Sequence, residues 1–224
     1  ADNGNNGDEY GIYLTSNAYG TNISNNNISN NNDDNVNIES YNNKIVNNNI
    51  TYAREEGIQV IQGAYNNTIR ENYIENTTSF GIFIQSDNNS LINNTVISTA
   101  SYGLLAAGAD NLNISDNSFL NVTLYAVYLN YSDDFWLRQN GTMIAVNSSF
   151  RDADVSVLNN GNLTVQFYAR ANVTGPSPDF SPISGATVVG YDANANKDWN
   201  TTTASTGLSY WETTTDYVIT TALT

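Results

Sequence analysis

The chain has 224 residues, 40% of them hydrophobic, with 7 lysines and arginines against 22 acids, no histidine and no cysteine. A net charge of −15 excludes nucleic acid and membrane surfaces as partners, because both need a basic face. Without cysteine or histidine there are no disulfides, no thiolate or imidazole metal ligands, and no Ser-His-Asp or Cys-His catalytic device.

The opening ADNGNNGDEYG lacks a signal-peptide core and reads as a mature or excised segment. No apolar run reaches the roughly 18 residues of a membrane-crossing helix. From residue 11 onwards a short apolar element recurs: GIYL at 11, NVNI at 35, GIQV at 57, GIFI at 81, GLLA at 103 and AVYL at 126. A second pattern, apolar-x-x-Asn-x-apolar, keeps step with it. It reads Ile23/Asn26/Ile28, Ile45/Asn48/Ile50, Ile69/Asn72/Ile74, Leu91/Asn94/Val96, Ile114/Asn117/Phe119 and Leu137/Asn140/Thr142, advancing by 22, 24, 22, 23 and 23 residues.

Two patterns in phase mark a structural repeat. Each repeat holds three short apolar segments that cannot bury their inner face alone, so the repeats must stack. No useful i, i+3, i+4 stripe supports a helical solenoid. The expected architecture is all-β: a right-handed parallel β-helix over residues 1–157, with about six to seven coils of 22–24 residues and three strands each. Asn26, Asn48, Asn72, Asn94, Asn117 and Asn140 then fall at one corner of successive coils, about 4.8 Å apart. A side-chain amide carries two donors and two acceptors, so such a row can satisfy itself and the buried turn backbone.

The GIxL…S…NNxI…NNxI cadence resembles the NosD-type β-helix repeats of archaeal and bacterial cell-surface proteins, over roughly residues 1–150. The resemblance implies a fold more than a function, because such repeats serve lyases, hydrolases, adhesins and envelope proteins alike. It also implies copper delivery. This sequence departs from that role: with no histidine or cysteine and only Met143, it lacks soft ligands.

After SSFRDADVSVLNNGN the cadence fades. Leu163, Val165, Phe167 and Ala169 alternate, followed by SGATVVGYDA and SYWETTTDYVIT, with Pro176, Pro178 and Pro182 in one loop. Strands separated by turn signals suggest an antiparallel sandwich. SPISGATVVGYDA…TTTASTG resembles Ig-like or carboxypeptidase-regulatory-like modules, placing a small β-sandwich at 158–224. About five strands are countable, so the sandwich is expected to be incomplete or completed by a neighbouring subunit.

Stacking turns repeat positions into columns. Four residues before the second-strand apolar position lie Tyr19, Tyr41 and Tyr65, then Asp87, Asp110 and Asp133. The tyrosines form an aromatic ladder, either structural or a sugar platform. The aspartates either splay into water or share calcium. On the outward face of the first strand, Phe80, Phe83, Tyr102, Leu105, Tyr125 and Tyr128 make an apolar patch that something should cover, either the C-terminal domain or another subunit. Sequons at Asn22, Asn49, Asn66, Asn76, Asn88, Asn113, Asn121, Asn130, Asn147, Asn162, Asn172 and Asn200 are glycosylation candidates and point outside the cell.

A glycosidase needs two carboxylates about 5–9.5 Å apart. Glu55 and Glu56 with Arg54, and Glu71 with Arg70, read as corner residues, and no acid pair facing one groove emerges. The expectation is therefore a non-enzymatic structural protein of the extracellular cell surface. It would be a self-assembling subunit of a surface layer, sheath or filament, or an adhesin, with copies of itself and cell-surface glycans as partners. The alternative is a carbohydrate-binding or polysaccharide-cleaving β-helix.

Overall fold

The computed structural model describes residues 9–130, 141–146, 148, 155–158, 161–169, 171–174, 181–191, 196–210 and 212–220. The chain divides into two units, Ala1–Leu163 with Ile219–Thr224, and Thr164–Val218.

The first unit is a parallel β-helix of about five turns. Its first sheet stacks Ile12–Leu14, Val36–Ile38, Ile58–Val60, Ile82–Ile84, Tyr102–Ala107, Tyr125–Asn130 and Val155–Leu158. The second stacks Asn22–Ser24, Lys44–Val46, Thr68–Arg70, Ser90–Ile92, Leu112–Ser115 and Gly141–Val146. The third stacks Asn27–Ser29, Asn49–Thr51, Tyr73–Glu75, Thr95–Ile97 and Ser118–Leu120. Period-two alternation aims two apolar residues of most first-sheet strands inward, as in Ile58 and Val60, and one of most strands in the other two sheets. The core is therefore made of vertical files such as Ile45, Ile69, Leu91 and Ile114 or Ile50, Ile74 and Val96, all buried.

The glycine that opens GIQV and GIFI is a packing requirement. A Cβ on Gly57 would lie 2.6 Å from the Gly81 carbonyl oxygen, and one on Gly81 would meet Val96 and lie 2.7 Å from the Gly103 carbonyl oxygen. Gly81→Ala should cost about 1–3 kcal/mol through overpacking, read as a lower urea midpoint.

Asparagine does two jobs at the corners. Asn26, Asn48, Asn72, Asn94 and Asn117 form one row, in which each amide oxygen accepts from the backbone N–H and the side-chain N–H of the residue one coil earlier. A second row, from the first NNxI of each repeat, runs through Asn43, Asn67 and Asn89, with backbone N–H to Oδ1 bonds of 2.8 Å. The other job is conformational. Among the described residues, fourteen non-glycine residues have positive φ and ten of them are asparagine, among them Asn25, Asn47, Asn66, Asn88 and Asn93. Asparagine tolerates the left-handed region better than most residues.

Tyr52, Glu71, Ser98 and Asp116 occupy the same kind of corner. Glu71 pairs with Arg70 at 3.4 Å, both about half exposed, an ion pair of little value. Glu71→Asn should therefore stabilise by about 0.5–1 kcal/mol, measurable by denaturant titration.

The sixth repeat departs from the pattern. Ile114 pairs with Ala145, and the Asn117 N–H donates to Ser148 Oγ at 3.3 Å, 31 residues ahead. Ala145 and Ser148 thus stand where the repeat pattern put Leu137 and Asn140, and Asn140 itself lies outside the described residues. A lengthened coil breaks the 22–24 residue rhythm, which leaves about five regular turns in place of six to seven.

In the second unit, Thr187–Tyr191 pairs antiparallel with Lys197–Thr202. Isolated antiparallel bridges join Asn172 to Leu208, Thr174 to Pro182 and Thr203 to Ser209. A small antiparallel sheet is thus present, a coarser feature than the Ig-like sandwich expected.

Candidate functional site

Register along the first sheet places two outward columns side by side. One, two residues before each strand's first inward residue, runs Tyr10, Asp34, Glu56, Phe80, Tyr102, Tyr125. The other, in mid-strand, runs Tyr13, Asn37, Gln59, Phe83, Leu105, Tyr128. The face therefore changes character along the helix axis. Two coils of acids and amides lie between a Tyr10–Tyr13 pair, 5.0 Å between centroids, and a five-ring cluster.

In that cluster Phe80, Tyr102 and Tyr125 stack at 5.4 and 6.1 Å, Tyr128 lies 4.6 Å from Tyr102, and Phe80 meets Phe83 edge-on. Leu105, expected on the exposed patch, is in fact buried, unlike Phe83 and Tyr128 on either side of it in the same column. Burial, with Tyr102 and Tyr125 alongside, raises the Tyr128 hydroxyl above its ordinary pKa, so it is a neutral donor and acceptor at physiological pH.

The acidic coils hold a hydrogen-bonded carboxyl pair. Asp34 and Glu56, 1% and 5% exposed, bond to each other through their side chains. Burial first, and then this bond, push Asp34 from 3.8 up to about 8, so it is protonated at neutral pH. Around the pair, the Glu56 backbone N–H donates to Asp34 Oδ1 at 3.0 Å and the Ser79 hydroxyl donates to Glu56 Oε1 at 2.8 Å. Asn37 Nδ2 donates to Asp34 Oδ2 at 2.9 Å and to Gln59 Oε1 at 2.6 Å, while Asn37 Oδ1 is buried without a partner. Carboxylate oxygens of Asp33, Asp34 and Glu55 lie within 4.8 Å of one another. This all-oxygen donor set suits a hard cation such as calcium.

The acid pair is what the sequence reading missed. Asp34 precedes Val36 by two residues and Glu56 precedes Ile58 by two, the same offset as Phe80 to Ile82. The other expected positions fall elsewhere. Tyr19, Tyr41 and Tyr65 stack within 3–4° of parallel at 5.4 and 5.0 Å. Asp87 lends its Oδ1 to the Asp110 backbone N–H at 3.0 Å, and Asp133 lies outside the described residues. Of the sequon asparagines, Asn22, Asn49, Asn66, Asn88, Asn113, Asn121, Asn172 and Asn200 are exposed, Asn76, Asn130 and Asn162 are half-buried, and Asn147 lies outside the described residues.

A family model described as "right handed beta helix region" matches residues 10–173. The chain belongs to the right-handed β-helix family. Among solved structures, this β-helix protein is similar to the periplasmic alginate epimerase AlgG, at 20% identity over 70% of this chain and 41% of that one, TM-score 0.62. It is also similar to the Agl-KA catalytic domain, at 16% identity over 68% of this chain and 34% of that one, TM-score 0.56. Its sequence matches none of the curated proteins. The β-helix protein thus spans about two fifths or less of the length of these structures. At such identities the likeness is one of fold. It nevertheless corrects the expectation of a non-enzymatic protein: the two solved structures it is similar to are an epimerase and a catalytic domain.

Proposed function

We propose that the outward face of the first sheet binds a polysaccharide and that the protein is an exported, carbohydrate-acting member of its family. One observation carries this reading: the Asp34–Glu56 pair continues, on the two preceding coils, the column that Phe80, Tyr102 and Tyr125 occupy in the ring cluster. Rings and tyrosine hydroxyls suit the apolar and hydroxyl faces of sugar rings. Beside that row, the buried Asp34 and Glu56 hold a proton between them. The likeness to AlgG and to a catalytic domain supports the same reading, as does the periplasmic location in AlgG's description. The residues expected to form an assembly or domain interface thereby become sugar-contacting residues.

Glycan-array binding followed by a turnover assay tests it. The native chain should bind at least one polysaccharide. Tyr128→Ala should weaken that binding about 3- to 10-fold, the value of one aromatic contact, with an unchanged far-ultraviolet circular dichroism spectrum. Binding unaltered by Tyr128→Ala, or no glycan bound at all, removes the reading.

A further inference from the structure

We infer that the polysaccharide taken by this face is uncharged, an inference that rests on the carbohydrate reading above and narrows it. No lysine or arginine occupies either outward column of the first sheet between Tyr10 and Tyr128. Residues 9–130 carry eleven acids and three bases, and none of the three bases lies in either column. Lys44 and Arg70 belong to second-sheet strands, and Arg70 is paired with Glu71. Arg54 lies at the corner before the first sheet, where it donates to Asn32 Oδ1 at 3.4 Å. That corner also carries Asp33, Asp34, Glu55 and Glu56, the first three with carboxylate oxygens within 4.8 Å.

A polyuronate laid along the face would bring a carboxylate on every sugar past these acids with no cation in either column to receive it. Each such group would lose hydration for repulsion. The groups that do line the face are neutral hydrogen-bonding and apolar ones: the amide of Gln59, the hydroxyls of Tyr102, Tyr125 and Tyr128, and the rings of Phe80 and Phe83. This chemistry recognises a sugar's hydroxyls and C–H faces.

Titrating the full chain with a soluble neutral β-glucan, a neutral α-glucan and sodium alginate, each at low and high salt and in calcium or chelator, decides the matter. At least one neutral glucan should bind at least 10-fold more tightly than alginate at low salt. Its affinity should change less than about twofold on raising the salt, since counterion release is absent. Alginate binding as tight as or tighter than the neutral glucans, in calcium or in chelator, overturns the inference and leaves the carbohydrate reading standing. If none of the three binds, both fall.

Discussion

Replacing Asn72 by leucine should lower the unfolding free energy by about 3–5 kcal/mol, the largest single-site loss expected in the β-helix. Asn72 is buried and sits mid-row. Its Oδ1 accepts from the Asn48 backbone N–H and from Asn48 Nδ2, both at 3.0 Å. Its Nδ2 donates to the Ile45 carbonyl at 2.9 Å and to Asn94 Oδ1 at 3.0 Å. Leucine matches the amide in size and removes all four bonds. It leaves the buried Asn48 backbone N–H without an acceptor, and each orphaned group costs about 1–3 kcal/mol. Asn26→Leu, at the exposed end of the row, should cost under about 1 kcal/mol, because water replaces what is lost. Equal losses at the two positions in urea unfolding would show that the row does not act through buried satisfaction.

The same residues explain how far the fold was legible. Ile45, Asn48 and Ile50 recur at a near-constant interval because every coil must repeat the inner geometry of the one before, so periodicity alone reveals coil length and strand count. The Asn43, Asn67 and Asn89 row stands in the first NNxI of the same cadence and is shorter, because Leu112 takes over where the next asparagine would stand. The left-handed asparagines were hidden. In NNN at 47–49 the three residues are, in order, a left-handed corner, the buried amide and the first strand residue, and composition cannot separate those roles.

The acid pair escaped because a column was judged by its commonest occupants. Phe80, Tyr102 and Tyr125 made it an aromatic column, while Glu55-Glu56 read as a corner and Asp33-Asp34 stood outside every pattern. In each doublet the second acid is the buried one, a distinction that depends on which residue lies two positions before the inward-facing Val36 or Ile58. Sequence alignment of the coils contained that offset. The burial that turns the offset into chemistry comes only from the packing of neighbouring coils.

Native stability in chelator should fall as pH rises from about 5.5 to 8, the reverse of what ordinary carboxylates produce. Asp34 stands at about 8 in the folded chain against 3.8 for the free side chain, through burial and its bond to Glu56. The folded state therefore holds a proton that the unfolded state has released throughout that interval. A raised acid contributes stability that is complete below the unfolded pKa and is lost as pH climbs through the folded one. The absence of histidine and cysteine means that no other side chain of ordinary pKa titrates across this window, so the slope in urea midpoint reads Asp34 nearly alone. Asp34→Asn should flatten it: the amide can donate to Glu56 as the protonated carboxyl does, and rotation of the Asn37 amide offers its unpartnered Oδ1 to the new N–H. The variant should already exceed the native chain near pH 5.5, and by more at pH 8. A native midpoint that holds steady or rises between those values would mean that Asp34 and Glu56 hold no proton between them.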